Sequence, residues 1–313
     1  MQTLVRADKP TLHFIGVTTG QSSIMRVFPQ WAAALGLKDA VIRGIDIGIH
    51  ADPAEYRQVV SFLREDPLSL GALVTTHKID LFNACSDMFD HLDPYAKAFG
   101  ELSSISKRDG RLEGYAKDPI SSGLAMDAFV PPGFWRMHGG EVFLMGAGGS
   151  AIAIGAHLMR PERGDDVPSR IVVANRSQPR LDEIRRIFDG LNPGIPVECR
   201  LTPEPEQNDA ILSGLKPHSL VVNATGLGKD RPGSPLSDAC LFPENSLVWE
   251  LNYRGDLKFL HQANAQRQAR CLHVEDGWTY FVHGWTQVIA EVFHIDVAGE
   301  AFAACERIAA ALR

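Results

Sequence analysis

No stretch of this 313-residue chain is apolar for long enough to span a bilayer, and its first ten residues lack the basic-then-apolar pattern of a secretory signal. Its five cysteines, Cys85, Cys199, Cys240, Cys271 and Cys305, are scattered and form no CxxC pair, so neither a disulfide framework nor a zinc site is expected. That usage fits a reducing cytoplasm. An excess of positive charge is also missing. With 31 Lys and Arg against 38 Asp and Glu, the net charge of -7 argues against a general nucleic-acid or membrane-surface binder. Internal repeats and low-complexity tracts are absent. What remains is a chain 45% hydrophobic and 22% charged, long enough for two domains and a sizeable core.

The positive signal centres on Val142-Phe-Leu-Met-Gly-Ala-Gly-Gly-Ser-Ala151, where an apolar run ends on a glycine turn and opens into a helix-like run from Ala151 to Met159. This is the strand, turn and helix context of a dinucleotide fingerprint. Gly146 permits the tight turn, Gly148 lets backbone approach a pyrophosphate, and Ala151 fills the small-residue position for helix-strand packing. The helix start, from Gly146, Ala147 and Gly148 to Gly149, Ser150 and Ala151, then offers unpaired N-H groups to phosphate. A second strand, Ile171 to Ala174, ends in Asn175-Arg176-Ser177, with Arg180 beyond. An acid there would accept from a ribose 2′-hydroxyl, whereas two guanidiniums suit a 2′-phosphate, so the expected cofactor is NADP. The connection Arg160 to Pro168 reads as a solvated surface insertion.

Taken in order, the chain predicts strands at Leu12–Val17, Val41–Ile49 and Gly71–Thr76, with helices at Met25–Leu37 and Pro53–Arg64. Leu102–Ile105 and Leu112–Tyr115 around Asp109-Gly110 predict a hairpin. A helix at Ile120–Phe129 precedes the fingerprint. Beyond it, strands are predicted at Val197–Leu201, Ser219–Asn223 and Ser246–Leu251, with helices at Glu204–Leu215 and Leu257–Gln268. The end is helical, over Trp278–Phe293 and Val297–Leu312. The fold class is therefore α/β: an N-terminal α/β domain of residues 1–117, a Rossmann-type domain of 118–276, and C-terminal helices of 277–313 returning to the first across a cleft.

Two polar residues stand where chemistry is expected. Lys78 ends a strand in an α/β sheet, where ligands collect, although a solvated helix-start lysine reads equally well. Asp118 precedes Pro119 at a helix start, as an ordinary N-cap would. His77 reads as a strand-end histidine satisfied by backbone, and Trp278, Tyr280 and Phe281 read as core before cleft lining.

The order of these motifs resembles the shikimate and quinate dehydrogenase family over nearly the whole chain: the loop Gly16 to Ser23, the Val-Thr strand ending in Lys78, Gly100, Asp109-Gly110-Arg111-Leu112 with Gly114 and Asp118, the GAGG turn, Asn175-Arg176-Ser177, Asn223-Ala224-Thr225, and Asp276-Gly277. The resemblance implies a two-lobed α/β enzyme of aromatic amino acid biosynthesis, a nicotinamide cofactor touched also by Asn223, Ala224 and Thr225, and a Lys78 and Asp118 pair acting on an alcohol or ketone carbon. It places Ser22, Ser23, Thr75, Ser103 and Gln287 at the substrate. It implies a small-molecule substrate, no metal, and a monomer or homodimer. Departures are specific. Ile24 stands where the family has its second serine, Ser103 replaces an asparagine, Ala116-Lys117 replace Asn-Thr, Gly284 replaces glutamine with Gln287 one turn on, and the proline before Lys78 is missing. Each lost donor or acceptor is worth about 1–3 kcal/mol, so the substrate preference is expected to differ from shikimate itself. A dinucleotide-binding sensor without turnover is the alternative on the same fold.

Overall fold

The computed structural model describes residues 4–191, 194–229 and 231–313; residues 1–3 of the N-terminal stretch considered above lie outside it. The chain divides into two compact units, one running up to Lys117 and resuming at Val282, the other Asp118–Phe281. In the first unit the elements are β1 (Thr11–Gly16), α1 (Ile24–Ala34), β2 (Val41–Asp46), α2 (Pro53–Glu65), β3 (Ser69–Val74), α3 (Lys78–Cys85), β4 (His91–Leu92), α4 (Pro94–Phe99), β5 (Ser104–Arg108) and β6 (Arg111–Tyr115). The second contains α5 (Asp118–Asp127), α6 (Phe134–His138), β7 (Val142–Met145), α7 (Gly149–Leu158), β8 (Ile171–Asn175), α8 (Gln178–Asp189), β9 (Val197–Leu201), α9 (Pro205–Ser213), β10 (Leu220–Asn223), β11 (Leu247–Glu250), α10 (Lys258–Gln266) and β12 (His273–Glu275). Helix α11 (Trp278–Phe293) carries the chain from the second unit back to the first, which α12 (Gly299–Ala311) completes.

The first sheet has the order β2-β1-β3-β5-β6-β4. Strands β2, β1 and β3 are parallel, and β5 joins β3 antiparallel. Local chemistry explains the pieces. Asp52 accepts from Ala54 N at 2.8 Å and Pro53 starts α2, whose buried Tyr56, Val59, Val60 and Leu63 repeat at helical spacing. The β5–β6 hairpin turns on Asp109 and Gly110, both at positive φ, as a two-residue turn demands. Beneath the sheet, Ile15, Val60, Leu63, Val74, Leu81 and Ile105 form one fully buried core.

The second sheet is entirely parallel, in the order β12-β11-β10-β7-β8-β9. This is the doubly wound arrangement, with its switch point between β7 and β10. Every residue of β7, β10 and β11 is buried, as a sheet covered on both faces requires. Helices α7 and α8 approach so closely that a Cβ on Gly155 would lie 2.1 Å from Phe188 Cζ.

Most predicted elements are present with ends shifted by one to three residues. The short α3, α4, β4, α6 and β12 escape sequence reading because two to eight residues do not establish a period. The connection Arg160 to Pro168 is a surface segment, with Pro161, Glu162, Gly164 and Asp165 exposed. It is not simply solvated: Arg163 reaches Asp127 at 2.6 Å and His157, while Asp166 accepts from Gly133 N at 2.7 Å.

At the amino ends of β1 and β3 lies a buried polar set. His13 Nε2 is 2.8 Å from Ser69 Oγ, and that hydroxyl donates to Asp66 at 2.9 Å. Burial lowers the His13 pKa to about 4, against the pull of Asp66, and lowers that of His283, stacked on Phe302, to about 4 as well. The unfolded chain takes up protons near pH 6.5 that the folded chain refuses, so stability falls as pH drops from about 6.5 to 4, by at most about 3 kcal/mol per histidine. Thermal unfolding should show this loss, and His13→Gln should remove about half of it, leaving the share of His283; an equal slope in the variant would remove His13 from the account.

Candidate functional site

In the first unit, the candidate residues gather at the carboxyl ends of the parallel strands. After β3, Thr75 turns back onto β1, its N-H and hydroxyl both donating to Ile15 O at 3.1 and 3.2 Å. A Cβ on Gly16 would sit 3.0 Å from Thr75 Oγ1 and 3.1 Å from Thr19 Cγ2. The loop carrying Ser22 and Ser23 therefore meets the end of β3 across Gly16. That loop is held by Thr19, which donates to Asp46 Oδ1 through N-H at 2.8 Å and hydroxyl at 2.5 Å, and whose carbonyl accepts from Ser22 N. Ser22 and Ser23 are half-buried, whereas the neighbouring Ile24 is wholly buried. The position of the family's second serine belongs to the core here.

Lys78 opens α3 and is half-buried. Its N-H donates to Thr75 O at 3.3 Å, and its carbonyl accepts from Leu102 N at 3.1 Å. The preceding His77 is fully buried, with Nδ1 3.1 Å from the Tyr56 hydroxyl of α2. This corrects the backbone-satisfied reading: a tertiary side-chain contact braces the turn where the family places a proline. The Tyr56 hydroxyl is itself pushed up in pKa by burial and by Asp80.

Other candidates in this unit are engaged in structural bonds. Ser103 is buried, its hydroxyl accepting from Lys117 N at 2.6 Å and lying 3.4 Å from Tyr115 O, so it ties the chain before α5 to the start of β5. Lys117 extends to Glu291 of α11 and over the Tyr115 ring, 4.5 Å from its centroid. Tyr115 donates to Glu113 at 2.6 Å, and burial with that carboxylate raises its pKa. On α11, Gln287 is half-buried, and a Cβ on Gly284 would meet nothing within 4 Å. Packing of Trp285 on Phe14, ring centroids 5.0 Å apart, sets this helix against β1.

The second unit holds Asp118 and the nucleotide candidates. Asp118 is buried at the start of α5, its carbonyl accepting from the Ser121 hydroxyl at 3.2 Å. At the end of β7, Gly146 has φ +114°, and a Cβ there would lie 2.5 Å from Ala224 O, so the first turn glycine packs against the loop after β10. Gly148, by contrast, faces open space: a Cβ added to it would meet nothing within 4 Å. It starts α7, where Ala147 and Ala151 are buried and Gly149 and Ser150 half-buried. A dinucleotide fits this cradle: bare backbone beside unpaired helix N-H groups. At β8, Asn175 accepts from Ser177 N at 3.1 Å, closing the turn that presents Arg176. Arg176 is exposed and makes no ion pair among the described residues, whereas Arg180 pairs with Glu183 at 2.9 Å.

Asn223 is fully buried, and its amide is spent within the protein. It donates to Glu250 at 2.8 Å and Leu227 O at 3.2 Å, and accepts from the N-H and hydroxyl of Thr225. Its side chain thereby braces the loop of Ala224 and Thr225. Sequence reading missed the centre of this brace. Glu250, wholly buried, accepts also from Asn252 N and Nδ2 at 2.8 and 2.7 Å, and burial raises its pKa to about 7. Its only sequence signal is an acid ending the apolar run Leu247-Val-Trp249. Tyr280, read as core, lies 3.5 Å by its hydroxyl from Ser150. Trp278 and Phe281 are core, stacked at 5.1 Å.

No family model matches the chain. It is similar to the NADP(+) shikimate dehydrogenase of Symbiobacterium thermophilum, 29% identical over 204 residues, covering 64% of each chain. The counterpart of the same name from Lactococcus lactis is 28% identical over 178 residues, 56% of this chain and 59% of that one. The matched region thus spans less than two thirds of these relatives. Among solved structures, shikimate dehydrogenase from Aquifex aeolicus superposes with a TM-score of 0.73 at 18% identity, covering 97% of this chain and 99% of that one. The ligand-free 5-ketofructose reductase of a Gluconobacter strain does so at 0.69 and 16%, with the same coverage. By sequence over more than half its length the chain is similar to the NADP(+) shikimate dehydrogenases, and over nearly all of it the fold is that of the solved shikimate dehydrogenase from Aquifex aeolicus.

Proposed function

We propose that the chain is a cytoplasmic, NADP-dependent oxidoreductase of the shikimate/quinate dehydrogenase type, acting reversibly on a secondary alcohol or ketone of a small hydroxylated cyclic acid related to shikimate and 3-dehydroshikimate. The observation that carries this reading is the bare backbone of Gly148 at the start of α7, on a parallel sheet wound in the dinucleotide-binding order. The names of the relatives supply the NADP and the alcohol chemistry. Residues 118–276 serve the cofactor, and residues 1–117 with 277–313 the substrate and the proton.

The α7 start would hold the pyrophosphate, Arg176 and Arg180 the 2′-phosphate, and the loop of Ala224 and Thr225 the remainder. Bound NADP supplies or accepts the hydride. During ketone reduction negative charge grows on the substrate oxygen; the Lys78 ammonium stabilises it and gives it the Nζ proton. In alcohol oxidation the neutral amine takes the hydroxyl proton. Asp118 supports the lysine and orients the substrate hydroxyl. Ser22, Ser23, Thr75 and Gln287 bind the remaining polar groups. Ile24 in the core removes one hydroxyl, and Gly284 leaves room, which favours a substrate differing from shikimate at its acid or ring substituents.

An NADPH absorbance assay in both directions, against shikimate, quinate and related hydroxy acids, tests this reading; absence of turnover on every member would count against it. Lys78→Ala should lower kcat by about 10²–10⁴-fold while NADPH binding is retained; full turnover in the variant would take Lys78 out of the mechanism. Arg176→Asp should weaken NADP by about 1.5–3 kcal/mol more than NAD, measured by titration of each cofactor. Unchanged preference would sink the 2′-phosphate assignment.

A further inference from the structure

Glu101 stands one residue from the hydrogen bond that fixes Lys78. Two contacts, Val74 N to Ser103 O at 2.9 Å and Leu102 N to Lys78 O at 3.1 Å, run the segment after α4 alongside the turn from β3 into α3. Gly100, left-handed at φ +63°, ends α4 and directs the chain into this path. The Glu101 side chain is 3% exposed. A carboxylate so withdrawn from water is retained only beside a compensating charge or a set of donors.

The cations of neighbouring elements are engaged elsewhere. Lys117 is held by Glu291, Arg108 lies between Glu113 and Glu291, and Lys107 donates to Asp66 O at 2.8 Å. Lys97, on α4 itself, is exposed. Lys78 is the cation whose backbone is already bonded to the Glu101-Leu102 segment. We infer that Glu101 is a positioning residue for Lys78, its buried carboxylate serving as the counter-charge of the ammonium within the first unit. The inference rests on the proposed reaction only for its consequence, that Lys78 is the group that moves the proton.

The pairing has a chemical direction. A carboxylate beside an ammonium favours the charged form, so Glu101 keeps Lys78 protonated, ready to deliver a proton to a developing alkoxide. Other groups around the turn are His77, the Tyr56 hydroxyl of α2, and Asp80 of α3, which lies 3.0 Å from His50 Nδ1 on the outer side. Asp80 is the second acid on this turn, so the variant that tests Glu101 leaves it in place. The family resemblance places its catalytic acid at Asp118; Glu101 adds an acid from the lysine's own side.

The test reads Lys78 directly. Full-length protein is reductively methylated with 13C-formaldehyde, the Lys78 signal is identified by its absence in Lys78→Arg, and its pKa is followed by NMR. Glu101→Gln should lower that pKa by about 1–3 units, and Glu101→Asp should restore part of the shift. The acid limb of kcat/KM for alcohol oxidation should move down in step. An unchanged Lys78 pKa in Glu101→Gln overturns the pairing, even if the enzyme turns over. A lowered pKa in a protein inactive on the whole panel upholds it while the proposed reaction falls. Should Glu101→Gln fail to fold, Lys78→Met is used instead: the Glu101 carboxyl, followed by 13C NMR, should then titrate higher than in the parent, and an equal titration overturns the pairing.

Discussion

A parallel strand buried on both faces can release its chain only at its ends, and this constraint decides where polar side chains stand in both units. Strands β1 and β7 are buried throughout. Polar groups beside such strands tend to be paired within the protein or gathered where the strand stops. Near the amino ends of β1 and β3, His13 Nε2, Ser69 and Asp66 are linked by hydrogen bonds and closed to solvent, while His13 Nδ1 is buried without a hydrogen-bond partner among the described residues. At the carboxyl ends the same sheet delivers Thr75 and Lys78, still half-exposed. The two ends of one sheet thus separate polarity that is closed to solvent from polarity that reaches it.

Buried carboxylates play the same part in each unit, by different means. Glu250 collects three N-H donors from two asparagines, and so fixes the loop against which Gly146 turns. A glutamine there would set an amide N-H against other donors, so the carboxyl is chemically specific to the arrangement. Glu291 instead collects Lys117 and Arg108, holding the last residue before α5 against α11. In both cases the acid organises chain that carries candidate residues.

Much of this was legible in the sequence because it depends on local rules. Asp109-Gly110 specifies its hairpin, Asp52-Pro53 its helix start, and the apolar run into Gly146-Ala-Gly148 its strand, turn and helix. The departures at Ile24 and Gly284 were also visible, but not their meaning. Only packing shows that Ile24 is core and that the space beside Gly284 is open. What stayed hidden is non-local: Glu250 reaching Asn223, Tyr56 reaching His77, and Ser103 turned to Lys117 N. Such pairings join residues 14 to 27 positions apart, beyond any periodicity. The protein-internal bonds of Asn223 and Ser103 are hidden for this reason, since a polar residue in a motif looks the same whether it faces a ligand or the backbone.

The Tyr56 and His77 contact has one more consequence. A proline stiffens a turn through its own ring, in the nascent chain as well as in the finished fold. Here the stiffness is borrowed from α2 and exists only once that helix has docked on α3. The stiffness of the turn before Lys78 is consequently a property of the packed unit and not of the turn's own sequence. Fraying of α2 from α3 would remove this brace while both sheets remain intact, leaving the turn held by the backbone bonds of Lys78 to Thr75 and Leu102.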